Sequence, residues 1–229
     1  MGGVRALGAL LVLAGLAALG WYGWEMWGTT YVAQQKHGDV VDALERDWEA
    51  GRRVASVDGE EAGAVVRIPR FGDDYAVPVL EGVGDDVLAT GYGHFPEAVG
   101  PGERGNYAIA AHRVTHGEPL RDMPELQPGD EVVVDTASTR YTYRLTSGGD
   151  DLVVGMEDYW VVDEVPDNPV EGGVEPAQRP GQRLLTLTTC ASVFETTERM
   201  VAFGVLVDSR PREAATAASA PAGPGSDRR

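Results

Sequence analysis

Two hydrophobic patterns divide the chain. Residues 6–24 form an uncharged, mostly apolar run, and residues 29–50 place apolar side chains at helical spacing among charged ones. From Val65 onward the apolar runs are short, and Gly, Pro and Asp separate them, which is typical of β-strands. The predicted strands cover residues 65–68, 76–80, 107–111, 131–135, 141–145, 160–162, 184–188 and 200–207.

The even spacing of these strands favours a closed or nearly closed β-barrel. Short helical stretches are predicted at residues 95–99 and 120–126. We therefore divide the chain into an anchor (1–28), a juxtamembrane helix and linker (29–63), a β-barrel domain (64–210) and a tail (211–229). The tail is rich in Ala, Pro, Gly and Ser and has little to bury, so we expect it to be disordered.

The run at residues 6–24 is long enough to cross a bilayer as a helix. Trp21, Tyr22, Trp24 and Trp27 cluster at its end, as in an interfacial aromatic belt. Arg5 precedes the run, which predicts a cytoplasmic N-terminus, a single span and an extracellular domain. A cleaved signal peptide is the alternative, because small residues surround positions 17–20. The length of the run favours the uncleaved membrane anchor.

Composition narrows the class of protein. The chain has 229 residues, of which 43% are hydrophobic, enough for one domain with a real core. Its net charge of −17 argues against nucleic acid as a partner, because phosphates require neutralisation by Lys and Arg. The single cysteine excludes an internal disulfide, and its simplest interpretation alone is a small buried apolar residue.

Three side chains nevertheless suggest acyl-transfer chemistry. Cys190 ends the run Thr186-Leu-Thr-Thr-Cys190, His112 follows an apolar strand, and Arg199 begins the last strand. A thiolate attacks a carbonyl carbon far better than a thiol, and an imidazole can serve as its partner and later protonate the leaving amine. A guanidinium can lower the pKa of the thiol, stabilise an oxyanion or bind substrate backbone.

A hairpin between the strands ending at Cys190 and starting at Arg199 would bring these two residues together. Thr188 and Thr189 would then place hydroxyls beside the nucleophile, which makes both candidate substrate-binding residues.

In this order and with these neighbours, the chain resembles the sortases, membrane-anchored cysteine transpeptidases of Gram-positive bacteria. The resemblance covers about residues 64–207. It rests on the following segments: Leu187-Thr-Thr-Cys190, Phe194, Arg199-Met-Val201, Arg67-Ile-Pro69, Glu81-Gly82, Pro101-Gly-Glu-Arg-Gly-Asn106, Ala111-His-Arg113 and Pro128-Gly-Asp130.

The resemblance implies an eight-stranded β-barrel that cleaves a sorting signal between Thr and Gly. Cys190 would be the nucleophile, His112 the acid/base and Arg199 the substrate-orienting or oxyanion-stabilising cation. The acyl part of a surface protein would pass through a thioester to an amine of a cell-wall precursor. Whether the thiol and imidazole rest as an ion pair or as neutral groups stays open.

Within the family, the segment from His112 to Gly117 and the Cys-x-x-x-Phe spacing are most similar to class E, found in high-GC actinobacteria. That class favours Leu-Ala-x-Thr-Gly signals over Leu-Pro-x-Thr-Gly. Ser192 stands where relatives often have Pro, and His116 stands where they often have Tyr, at a position tied to signal choice. His116 is therefore a candidate substrate-binding residue.

Three other classes of protein are alternatives to a sortase. An L,D-transpeptidase fits poorly around Thr188-Thr-Cys-Ala191, and a papain-like hydrolase would have its cysteine before its histidine. A non-catalytic, membrane-tethered β-barrel that binds a partner, with Cys190 buried, is the non-enzymatic alternative. We expect no metal and no cofactor, because the acidic run at residues 150–167 lacks an EF-hand spacing. His37 is expected to lie solvated on the juxtamembrane helix.

Overall fold

The structure, a computed structural model, describes residues 2–24, 29–57, 59–190 and 197–212. Its helices are α1 (Gly2–Gly23), α2 (Thr29–Glu49) and α3 (Asp85–Leu88). Its strands are β1 (Ala55–Val57), β2 (Glu60–Arg67), β3 (Val77–Glu81), β4 (Tyr92–His94), β5 (Gly105–Ala110), β6 (Glu131–Thr136), β7 (Thr139–Leu145), β8 (Val153–Gly155), β9 (Arg183–Cys190) and β10 (Glu198–Pro211). Short 3₁₀ turns lie at Pro69–Phe71, Met123–Glu125 and Tyr159–Val162.

The sheet closes on itself. Its strands follow the order β2-β3-β4-β5-β9-β10-β7-β6, and β6 pairs back with β2. The closing register sets Ala64 opposite Thr136 and Arg67 opposite Val133. The predicted closed barrel of 8 strands is therefore confirmed. β1 and β8 pair with β2 and β10 but lie outside the closed circuit.

The alternation of side chains along the strands separates the interior of the barrel from an outer layer. Leu185, Leu187 and Ala202 belong to the large interior cluster, while Val201 and Phe203 belong to a second cluster with Val161. The second cluster lies beneath the long connection between β7 and β9, where Leu152, Trp160 and Val174 also pack. One face of β10 thus builds the core, and the other supports this connection.

Helix α2 packs on the outside of the barrel. Its apolar side chains form one buried cluster with β1, β2, β3 and α3, made of Val40, Val41, Leu44, Trp48, Ala55, Ala62, Val65, Leu80 and Val87. Arg67 of β2 also forms an ion pair with Glu45 of α2, at 3.0 Å between Nη2 and Oε1. The helix predicted at residues 29–50 is confirmed, and it is docked on the domain.

Some predicted elements were wrong. Residues 160–162 are part of a 3₁₀ turn, because their apolar side chains pack against the outer face of β10 without joining the sheet. Residues 95–99 form a turn in which Ala98 N–H donates to Phe95 C=O (2.9 Å), and Pro96 lies within it. Only Met123–Glu125 of the stretch 120–126 is helical, as a single 3₁₀ turn. The expected linker at residues 52–63 contains β1 and the start of β2.

At the N-terminus, α1 forms over Gly2–Gly23. Among the described residues, however, no helix combines the length and apolarity needed to cross a membrane, so the predicted transmembrane helix is not found. The predicted tail at residues 211–229 begins with Pro211, the last residue of β10, and from residue 213 onward it lies outside the described residues. The predicted division of the chain into an anchor, a linker, a barrel and a tail stays a prediction.

Candidate active site

Three neighbouring strands bring the predicted catalytic positions to one edge of the barrel. β5 and β9 are parallel, with Ala110 opposite Thr188, so both end at the same edge. β10 is antiparallel to β9 and begins there, with the Cα of Arg199 paired with that of Cys190. His112 lies just beyond the end of β5. The antiparallel pairing of β9 and β10 therefore brings the backbones of Cys190 and Arg199 together, as expected of a hairpin between them.

Hydrogen bonds fix the backbone immediately before His112. Ala111 N–H donates to Thr188 C=O (3.2 Å), and the buried Thr189 hydroxyl donates to Ala111 C=O (2.7 Å). β9 therefore holds Ala111 through both its donor and its acceptor. The Thr189 hydroxyl, predicted to face substrate, is used to position the chain that carries the imidazole.

A cleft of about 490 Å³ opens over this edge. His112, Thr188, Thr189 and Arg199 all line it. The rest of its wall is largely apolar and includes Val83, Leu88, Phe95, Val154, Met156 and Val162. Such a lining, with a few polar groups converging at one end, is suited to a short peptide with apolar side chains.

The surroundings of His112 favour its neutral form. Partial burial lowers the pKa of His112, electrostatic interactions with His116 and Arg199 lower it further, and Asp85 opposes the shift. Asp85 begins α3 and also lines the cleft. A neutral imidazole can accept the proton of a thiol, which is the role predicted for a base at this position.

His116 touches His112 but does not line the cleft. The two rings stack with centroids 5.1 Å apart and an interplanar angle of 30°. His116 has a φ of 53°, in the left-handed region that non-glycine residues rarely adopt. Its buried Nδ1 has no hydrogen-bond partner among the described residues. The predicted substrate-binding role of His116 stays a prediction, and its described contact is with the imidazole.

The part of the cleft wall formed by Tyr159, Val161 and Val162 is anchored by a buried polar pair that the sequence did not predict. Asn106 Nδ2 donates to Val161 C=O (3.3 Å) and Asp163 C=O (3.0 Å). The Thr186 hydroxyl donates to Asn106 Oδ1 (2.9 Å), and both side chains are buried. This pair holds the 3₁₀ turn at Tyr159–Val162 against the barrel. Its signal in the sequence is a polar side chain inside each of the two strands β5 and β9.

The predicted nucleophile lies at the end of β9. Cys190 is the last residue of β9, while its side chain and residues 191–196, including Ser192 and Phe194, lie outside the description. Within the described residues, no group of three or more His, Cys, Asp or Glu side chains is arranged to hold a metal ion. The site therefore presents an imidazole, a guanidinium and the backbone of the cysteine around one apolar cleft.

Comparison with known proteins decides the family. The family model described as the sortase domain matches residues 66–207. The chain belongs to the sortase family. Sortase SrtE1 of Streptomyces coelicolor is 33% identical over 216 residues, which cover 91% of this chain and 58% of that relative. This sortase therefore spans less than two thirds of the length of SrtE1. Sortase SrtE2 of the same organism is 28% identical and is covered over 82% of its length.

Solved structures agree with this assignment. Sortase E from Streptomyces avermitilis superposes with a TM-score of 0.56 at 38% identity, covering 65% of this sortase and 89% of that chain. Sortase E1 from Streptomyces coelicolor, solved with a tripeptide in its active site, has a TM-score of 0.56 at 33% identity and covers 65% and 90%. The predicted resemblance to sortases, with class E among the relatives, is confirmed.

Proposed function

We propose that this sortase is a cysteine transpeptidase. The observation that carries the proposal is the convergence of Cys190, His112 and Arg199 at the ends of three adjacent strands, around one peptide-sized cleft. Family membership supports the same reaction class. The substrates and the identity of the acceptor are parts of the proposal.

In the proposed reaction, the Cys190 sulfur attacks the carbonyl carbon of the Thr–Gly bond of a sorting signal. The thiol proton passes to His112 and then to the leaving glycine amine, so that the C–N bond breaks as a C–S bond remains. A second amine then attacks the thioester carbonyl carbon, so that a new C–N bond forms, the C–S bond breaks, and a proton from the amine passes through His112 to the Cys190 thiolate. Arg199 supplies N–H donors for the oxyanion or for the signal backbone.

We propose a Leu-Ala-x-Thr-Gly or Leu-Pro-x-Thr-Gly signal on surface proteins, and a cell-wall precursor amine as the acceptor. The apolar wall of the cleft, which includes Phe95 and Val162, suits the Leu and the Ala or Pro of such a signal. Sortase E1 of Streptomyces coelicolor, which holds a tripeptide in its active site, supports a short peptide as the occupant.

A direct test incubates the full chain with each signal peptide and with hydroxylamine or a glycine amine. Mass spectrometry then measures cleavage between Thr and Gly and formation of the transfer product. Product with wild type and none with Cys190→Ala is the expected result, and the preferred peptide identifies the signal. No product, together with a Cys190 that resists alkylation, would favour the non-catalytic binding module.

The site of action is a separate proposal. We propose that the barrel acts outside the cell membrane of a Gram-positive, actinobacterial cell, tethered through residues 1–28. The large apolar side chains of α1 are exposed, with Leu10 at 64% and Leu19 at 69%, which supports contact with lipid or another apolar partner. Protease treatment of intact cells tests this: digestion of the barrel is expected, and full protection would overturn the proposal.

A further inference from the structure

The segment after His112 contains backbone that requires external support. His116, Gly117 and Glu118 have successive φ values of 53°, 85° and 51°. Left-handed conformations are unfavourable for residues with a Cβ and persist only where surrounding contacts hold them. Within the segment, Leu120 N–H donates to His112 C=O (3.0 Å), so the strained residues lie in a loop closed at His112.

Helix α2 contacts the strained residues from outside the barrel. Thr30 Oγ1 donates to Glu118 Oε1 (3.4 Å), and Gln34 Nε2 donates to Gly117 C=O (3.5 Å). One turn further on, the ring of His37 lies so close to Gly117 that a Cβ there would stand 2.5 Å from His37 Cε1. The same face of α2 therefore touches consecutive residues of the loop.

His37 is a packing group at this contact. Only 4% of the residue is exposed, contrary to the expectation of a solvated histidine. Its Nε2 is buried and has no hydrogen-bond partner among the described residues. Burial, aided by the charge of Lys36, lowers the pKa of His37 to about 4, so the ring is neutral near pH 7. A neutral ring without a partner for Nε2 contributes mainly by its shape.

A short chain of contacts connects this ring to the active site. His37 packs against Gly117, Gly117 is bonded to His116, and the His116 ring stacks on His112 at 5.1 Å. We propose that α2 positions His112, with His37 as a positioning residue that acts through Gly117 and His116. This inference rests on the proposed acid/base role of His112, and it assigns the juxtamembrane helix a part in catalysis.

The test uses three variants of the full chain. His37→Ala removes the ring, and His37→Phe restores a planar ring while deleting the unpartnered nitrogen. Val40→Ala is the matched control, because Val40 is a buried residue of α2 whose apolar cluster includes no residue of the 112–118 segment. Each variant is assayed below its unfolding midpoint for kcat and KM with the preferred signal peptide and hydroxylamine.

We expect His37→Ala to lower kcat by about tenfold with little change in KM, because displaced catalytic groups lose rate more than binding. His37→Phe should restore most of kcat, and Val40→Ala should retain it. Equal loss of kcat in Val40→Ala, or no recovery in His37→Phe, would overturn the inference and leave α2 a merely stabilising element.

A second measurement separates this inference from the proposed reaction. The chain has 4 histidines, so NMR titration can follow the His112 ring in each variant. In His37→Ala the lowered pKa of His112 should move toward its ordinary value as the His116 stack loosens, while Val40→Ala leaves it unchanged. If wild type forms no product, the proposed function fails, and an unmoved His112 pKa in His37→Ala would independently refute the positioning role.

Discussion

The Thr189 hydroxyl holds the backbone that carries His112. Two threonines before the cysteine suggested hydroxyls facing substrate. The Thr189 hydroxyl donates to the carbonyl of Ala111, the residue before His112, and Thr189 is only 3% exposed. Thr189 also lines the cleft, and its substrate-binding role stays a prediction. A hydroxyl can serve either purpose, and only the neighbouring strand decides which acceptor is within reach.

Replacing Thr189 by Val should lower the free energy of unfolding by about 1–3 kcal/mol, because the buried carbonyl of Ala111 loses its side-chain donor in an isosteric change. Denaturant titration measures the loss. Thr189→Ser keeps the hydroxyl and is the control. A Val variant as stable as the Ser variant would show that the hydrogen bond contributes no net stability.

Gly117 is a position where space and conformation both exclude a side chain. Gly117→Ala should lower the free energy of unfolding by about 1–3 kcal/mol, because its φ is positive. The loss should be larger still, because the new Cβ would clash with the His37 ring. Gly129→Ala is the matched control: its φ is +100°, and a Cβ there meets nothing within 4 Å in the described structure. Equal thermal midpoints for the two variants would contradict the contact with His37.

The sequence predicted helix α2 correctly, but it predicted wrongly that His37 on this helix is exposed to solvent. Its apolar spacing indicated a helix, but the composition around His37 indicated solvent. Burial followed because the face carrying Val40 and Leu44 packs on the barrel, and His37 lies one turn before Val40 on the helix. Periodicity in a sequence identifies the buried face of a helix, but it does not identify the loop that covers its end.

The burial of His37 predicts a pH dependence of stability. The folded-state pKa is about 4 and the ordinary value is 6.5, so the unfolded chain binds the proton more readily. The contribution of His37 to the free energy of unfolding is fully present above pH 6.5, decreases as the pH falls to 4, and is constant below that. The total loss is about 3 kcal/mol.

Denaturant titrations of wild type and His37→Phe across this pH range test the prediction. Seven charged or titratable residues surround or flank the contact of His37 with Gly117, and all of them remain in the His37→Phe variant: Lys36, Asp42, Glu45, Arg67, Asp74, His116 and Glu118. The difference between the two proteins therefore isolates His37. Parallel pH curves for the two proteins would show that His37 is not buried in its neutral form.

The complete chain carries a net charge of −17, whose long-range field attracts positively charged peptides and repels negatively charged ones as they approach the cleft. A signal peptide with Lys at its variable position should have a kcat/KM that falls by about two- to fivefold as salt is raised through 0.1 M, where screening acts over about 10 Å. The same peptide with Glu should show a rise. Identical salt responses for both peptides would rule out steering by the overall charge.

The amino-acid sequence determined the barrel class, most of its strands and the three residues expected to perform the chemistry. The alternation of side chains along a strand and the residues flanking Cys190, His112 and Arg199 are properties of short segments. Such properties can be recognised from the sequence without knowing the fold. The smaller strands β4 and β8 and the 3₁₀ turn at Tyr159–Val162 depended on distant partners, as did the anchoring of that turn by Asn106. Tertiary structure alone placed His37 against Gly117, because this contact joins distant parts of the chain and forms only when α2 packs on the outside of the barrel. The stacking of His116 on His112 is local in sequence, but it depends on the left-handed backbone of the loop that α2 contacts.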